Sequence, residues 1–339
     1  MTFRNQIFDR QPARSLTESI VAYYDETWLD YRLLWLNGRN LSVHFGYADV
    51  TTRGHADALL NMNRVLADRA AIWPGERVLD AGCGVGGSSF WLAQERGAEV
   101  VGITPVASQV TRARRFAEQR GLLADQPPTT LSTSLRAGND QPLTTTEETS
   151  TTQDSSRLSV LGSRFGHTRF EQADYTATPF ADASFDVVWS LESLCHAPRK
   201  DVFYREAARL LRPGGRLVVA EYVRAARPLA SDDERLLHAW LSGWAIPDLD
   251  TRGEHLAHLA AAGFTDIRFD DVTQHTRPSL RRLYQLTYWT YPLAVMGRVA
   301  GIRSDIQHGN VIGSLRQYEA LERGLWFYGI ISATRPKMS

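Results

Sequence analysis

Residues Arg77-Val78-Leu79-Asp80-Ala81-Gly82-Cys83-Gly84-Val85-Gly86-Gly87 decide how this chain is read. A short apolar strand runs into an acid, then turns through alternating glycines toward a helix beginning near Ser88. Gly82, Gly84 and Gly86 omit side chains where backbone must bend sharply and lie against a ligand. The helix that follows would present unpaired N–H groups to a carboxylate or phosphate. The stretch reads as a cofactor loop.

Two cofactors compete for it. Gly82, Gly84 and Gly87 satisfy the G-x-G-x-x-G spacing of dinucleotide enzymes. That reading needs an acid at the end of the second strand to hold a ribose hydroxyl. Here Glu99-Val100-Val101-Gly102-Ile103 is followed by Thr104-Pro105, which weakens it. The alternative is S-adenosylmethionine, whose ammonium group favours a carboxylate directly before the glycines, where Asp80 stands. Three later segments fall into line. Phe170-Glu171-Gln172-Ala173-Asp174 is a strand ending in an acid able to accept from an adenine amino group. Phe185-Asp186-Val187-Val188-Trp189-Ser190 is a fourth strand. Leu210 to Val219 is a helix end, a Pro-Gly-Gly turn and a fifth strand.

Together, apart from one insertion, these segments over residues 74–225 resemble the class I S-adenosylmethionine-dependent methyltransferases. The resemblance implies an α/β fold, a doubly wound seven-stranded Rossmann-like sheet with a helical cap. It implies S-adenosylmethionine as cofactor, with Asp80 and Gly82 flanking the methionine end and Gly84 and Gly86 completing the loop. Asp174 would face the adenine, with Tyr175 beside it. Thr104 departs from the family's usual acid, and Gln109 is a substitute for the ribose contact.

Composition narrows the field. A chain of 339 residues with 43% apolar content can bury one large core, or a core with a cap. Lys+Arg and Asp+Glu are balanced at 38 each, so no broad positive field exists to hold nucleic acid or an anionic membrane. Lys200 and Lys337 are the only lysines, a bias read as genomic first and as anion recognition second. Cys83 and Cys195 make neither a disulfide framework nor a zinc pattern, and no metal site is expected. No N-terminal run looks like a leader, and no segment reaches about 18 consecutive apolar residues. The expectation is a soluble cytoplasmic protein without stable membrane insertion; a homo-oligomer stays open.

Residues 1–73 read as an N-terminal helical cap, 74–225 as the cofactor-binding core and 226–339 as a substrate cap with the final strands. Helices are expected at 15–36, stopped by Asn37-Gly38, and at 55–72. Beyond Tyr222, helices are expected at 231–244, 251–262, 278–300 and 314–323, and strands at 265–273 and 325–334. Residues 124–164 are rich in Thr and Ser and stand where a loop of roughly 4–6 residues is usual. Their composition cannot offset its ordering entropy, so they read as a disordered insertion rather than a lid.

The fourth strand runs into Ser190-Leu191-Glu192-Ser193-Leu194-Cys195-His196-Ala197-Pro198, at the end that faces the ligand crevice. This segment resembles that of the sterol C-methyltransferases. Trp244-Ala245-Ile246-Pro247 with Ala262-Gly263-Phe264-Thr265-Asp266 is similar to tocopherol methyltransferases. Tyr23-Tyr24-Asp25 with His44-Phe45-Gly46 appears in both groups and, more loosely, in cyclopropane-fatty-acid synthases. The resemblance implies methyl transfer to a small lipophilic molecule, foremost to carbon of an isoprenoid. Methylating an alkene carbon leaves a cation that a base must deprotonate, and Glu192 and His196 suit that base. Tyr24, Trp28, Tyr284, Tyr288, Trp289 and Tyr291 are candidates to stabilise the cation, and His44 joins Tyr24, Trp28, Tyr288 and Trp289 as a substrate contact. His196 has an alternative role as a helix cap, Glu192 as a partner of backbone or cofactor, and the aromatics as core. Arg277, Arg281 and Arg282 read as a solvated helix face before a diphosphate site. An O- or N-methyltransferase of a natural product, with His196 as base, is the other reading.

Overall fold

Apolar runs bounded by glycines and acids form the strands, and amphipathic stretches between them form helices covering both sheet faces. A computed structural model describes residues 15–34, 40–124 and 166–337. In chain order it comprises α1 (Leu16–Glu26), α2 (Trp28–Leu34), α3 (His55–Arg69), β1 (Arg77–Ala81), α4 (Gly87–Arg96), β2 (Glu99–Thr104) and α5 (Ala107–Arg120). There follow β3 (Thr168–Gln172), β4 (Phe185–Leu191), a 3₁₀ turn (Leu194–His196), α6 (Lys200–Leu210) and β5 (Leu211–Arg224). The last elements are α7 (Ser231–Gly243), α8 (Arg252–Ala261), β6 (Thr265–Asp271), α9 (Thr273–Val299), α10 (Asp305–Glu322) and β7 (Trp326–Thr334).

The seven strands form one sheet in the order β3-β2-β1-β4-β5-β7-β6. β1 lies parallel between β2 and β4, with Leu79 opposite Val101 and Val188. β7 runs antiparallel between β5 and β6, bringing Tyr328 opposite Tyr222. Alternate residues serve opposite faces. Val78, Val100, Val187 and Val218 join one buried cluster, and Leu79, Val101, Val188 and Val219 the other. Strand order reverses at β1 and β4, so a crevice opens beyond their carboxyl ends.

The expected doubly wound sheet is present, with shifts at several boundaries. The single helix expected at 15–36 is two. The Thr27 hydroxyl donates to the Tyr23 carbonyl at 2.6 Å, and the chain restarts as a helix at Trp28. The helix expected from 314 begins at Asp305, where Ser304 and Gln307 form a capping box. The third strand stops at Gln172, two residues short of Asp174. Asn37-Gly38 and, apart from Ala124, the insertion at 124–164 lie outside the described residues.

Arg216 ties β5 to the turn before β1. Its guanidinium donates to the carbonyls of Ala70 and Ala71 and makes paired bonds of 2.9 and 2.6 Å to Glu76. Arg216→Ala should lower stability by about 1–2 kcal/mol in a denaturant titration without altering the crevice, which lies at the opposite strand ends.

Candidate active site

A cavity of about 720 Å³ lies at the carboxyl ends of β1 and β4, beneath α1, α9 and α10. Its floor is the glycine loop. Gly82 has φ +95°, and its N–H and that of Cys83 donate to the Ile103 carbonyl. A Cβ at Gly82 would stand 2.2 Å from the Cβ of Ser193, so the loop and the turn after β4 touch there. Gly84, at φ +54°, has open space where a side chain would be. Gly86 was expected at the ligand, but it does not line the cavity: its missing Cβ makes room for the rings of Phe90 and Phe170. Gly87 instead allows the backbone of Asn40 and Leu41 to close over the loop.

Around this floor stand several of the expected polar groups. Asp80 is buried, accepts from the Ser89 hydroxyl at 2.6 Å, and is raised to about 6 by burial. The Thr104 hydroxyl donates to Gln109 Oε1 at 2.7 Å, and both residues line the cavity. Asp174 accepts from the Thr176 amide and hydroxyl through one oxygen, and the buried Tyr175 donates to the Ser193 carbonyl at 2.9 Å.

Glu192 occupies the centre of the opposite wall with φ +51°, in the left-handed region. Its Oε1 accepts from the Phe45 amide at 2.7 Å and from the Tyr328 hydroxyl at 2.6 Å, and its Oε2 from the Tyr222 hydroxyl at 2.5 Å. Burial raises Glu192 to about 7, and the three donors oppose the rise. His196 lies in the 3₁₀ turn and caps no helix. Its Nδ1 faces the Ala245 carbonyl at 3.2 Å and must donate to it, which leaves Nε2 to accept from the Tyr24 hydroxyl at 2.9 Å. Burial lowers His196 to about 4 and pushes the Tyr24 phenol well above its usual range, so both are neutral near pH 7. His44 is fixed the same way, with Nδ1 donating to the Phe45 carbonyl, and burial lowers it to about 4. Its buried Nε2 has no hydrogen-bond partner among the described residues.

Three expected substrate contacts are elsewhere. The Trp28 ring lies under the Arg112 guanidinium, 4.4 Å away, and does not line the cavity. Tyr288 and Trp289 point outward, 56% and 78% exposed. The inward face of α9 is Leu283, Thr287, Thr290 and Ala294, so helical periodicity turns positions 288 and 289 to the outside. Tyr284 stacks on Tyr318, Tyr291 lies tilted near His308, and Arg277 pairs with Glu322. Arg281 and Arg282 do not line the cavity.

Sequence reasoning passed over Tyr31, Phe45, Tyr222 and Trp244 in the lining, and Tyr328 and Glu221 behind it. Glu221 accepts from the amides of Cys195 and Tyr222, and burial pushes it up to about 8. Its signal was visible as an acid inside the apolar run Val218-Val219-Ala220-Glu221-Tyr222-Val223.

Two methyltransferase-domain family models match, one over residues 78–137 and one over 144–219. The 27-O-demethylrifamycin SV methyltransferase of Amycolatopsis mediterranei is 33% identical over 248 residues, 73% of each chain. A 24-methylenesterol C-methyltransferase of rice is 29% identical over 306 residues, 88% of this chain and 70% of that one. The fold is shared with a cyclopropane synthase of Mycobacterium tuberculosis at TM-score 0.70 and 16% identity, covering 96% of this chain and 99% of the other. The chain belongs to the class I S-adenosylmethionine-dependent methyltransferases. It is an enzyme that uses S-adenosylmethionine as cofactor.

The two loop glycines should respond differently to a methyl group. Gly84→Ala should fold with a loss of about 1–2 kcal/mol from its left-handed backbone alone. Gly82→Ala should lose more, because its Cβ collides with Ser193, and calorimetric melting of the two variants checks the order.

Proposed function

We propose that this enzyme methylates an alkene carbon of an isoprenoid-type lipophilic acceptor. The observation that carries this reading is Glu192, a carboxylate held by three neutral donors in a wall otherwise built from Tyr24, Tyr31, Phe45, Tyr222 and Trp244. Such a wall suits a developing carbocation: ring faces attract it, and the carboxyl group, raised to about 7, is held in place to oppose the charge and accept a proton. The inner face of α9 offers Leu283, Thr287 and Ala294 to an apolar acceptor. Residues 15–34, 40–48 and 278–312 would form the cap over the strand ends, keeping water from the cation.

Bound S-adenosylmethionine supplies an electrophilic methyl group. The residues fit it. Asp80 would accept from the ammonium group, Gly82 and Gly84 let the loop lie close, Thr104 and Gln109 would meet the ribose, and Asp174 with Tyr175 the adenine side. His44 Nε2, an unused acceptor, suits a donor group on a ligand. Burial leaves Glu192 at about 7 despite its three donors and His196 at about 4, so Glu192 is the better proton acceptor and takes the proton, with His196 and Tyr24 beside it.

A second reading has a specific observation behind it. His196 is neutral with a fixed Nε2 lone pair, the state required to deprotonate a hydroxyl, and the Amycolatopsis relative is named for an O-demethylated substrate. Glu192→Gln separates the two. Carbon methylation predicts altered alkene isomers or water-trapped alcohols by mass spectrometry. Hydroxyl methylation predicts an unchanged product, with His196→Ala the more damaging change. An unchanged product at full rate in both variants would remove this wall from the chemistry.

Cofactor affinity should depend on pH through Asp80. A carboxyl raised to about 6 is ionised above that value and neutral below it. Affinity for S-adenosylmethionine should therefore fall as pH drops through about 6, and Asp80→Asn should bind weakly with that dependence removed, both read by titration calorimetry.

A further inference from the structure

The outward face of α9 carries an apolar stripe on which no described residue packs closely. Tyr288, Trp289, Leu293, Met296 and Val299 recur at helical spacing, all more than half exposed, and Ile302 continues the stripe just past the helix end. Residues 281–303 contain no Asp or Glu but do contain Arg281, Arg282, Arg298 and Arg303. Leu29 and Leu33 on α2 are exposed as well, and Asp30 of the same helix is bonded to Arg303 at 2.7 Å, which holds the two elements on one rim. Leu33 and Leu293 are both exposed and both line the cavity, so the stripe borders the cavity mouth.

We propose that this rim docks the enzyme on the surface of an anionic lipid bilayer, so that a lipophilic acceptor passes from the bilayer into the cavity. Arg298 and Arg303 are paired with Asp305 and Asp30, which leaves Arg281 and Arg282 as the local cations beside the aromatic and aliphatic stripe. That combination matches an interfacial, not a spanning, element, although the chain as a whole has no net positive field. No helix among the described residues is long and apolar enough to cross a membrane. A second copy of the chain fits the face less well. A two-fold contact would set arginines against arginines and close the cavity mouth. The proposal takes its substrate class from the functional reading above, but its test uses no substrate, so the two fail separately.

The test is flotation of the full chain with phosphatidylcholine vesicles, with and without phosphatidylglycerol. Wild type should float with the phosphatidylglycerol vesicles, more weakly with phosphatidylcholine alone, and less as salt is raised. Trp289→Asp with Met296→Asp should reduce vesicle partition about tenfold or more. Arg281→Glu with Arg282→Glu should remove only the advantage of the anionic lipid. Melting temperature and affinity for S-adenosylhomocysteine should be unchanged in both, which keeps loss of fold out of the result. Failure of wild type to float with either vesicle, or equal flotation of the Trp289/Met296 variant, overturns the proposal. So does a wild-type dimer in sedimentation that the same variant dissolves.

Discussion

Burying a carboxylate without a cation beside it is costly unless donors surround it. Glu192 meets that requirement with an amide from the segment before α3 and phenols from β5 and β7. Each donor belongs to a different part of the chain, so one side chain joins the N-terminal segment, the sheet centre and the antiparallel strand. The left-handed backbone at 192 turns the chain out of β4 at this point. Were any donor withdrawn, burial would push the carboxyl group further up and narrow the pH range over which it is charged.

A second buried carboxyl group supports the first. Glu221 binds the amide of Cys195 and so holds the 3₁₀ turn that presents His196. Lys200, also buried, donates to the carbonyls of Ala197 and Asp248, fastening the end of that turn to the loop carrying Ala245 and Ile246. The histidine tautomer, set by the Ala245 carbonyl, therefore depends on groups outside the cavity.

Much of this could be read from the residues. The acid and alternating glycines of 80–87 and the apolar runs of the strands depend on local backbone rules, and these are expressed within a few residues. Asp80, Gly82, Gly84, Thr104, Gln109, Asp174, Tyr24, Glu192 and His196 all line one cavity. The partners of Glu192 were not legible, because Phe45, Tyr222 and Tyr328 are brought together only by strand order. Trp28, Tyr288 and Trp289 were misread for a different reason. Aromatic character suggests an apolar face, but small and branched residues at 287, 290 and 294 face inward on α9, and the rings do not. Gly86 was read as a ligand contact because a glycine that clears room for Phe90 and Phe170 looks the same in sequence as one that clears room for a ligand.

The place of β7 has a kinetic meaning. It lies between β5 and β6 although it follows both in sequence, and it carries Tyr328. During synthesis β5 must therefore wait as an open edge, with its amides and carbonyls unpaired, while more than a hundred residues separate Arg216 from its partner Thr334. Contacts so distant form late, and an unpaired apolar strand invites pairing with another chain in the interval. The carboxyl group at the centre of the site thus gains its Tyr328 donor only after the last strand of the sheet has been made and inserted.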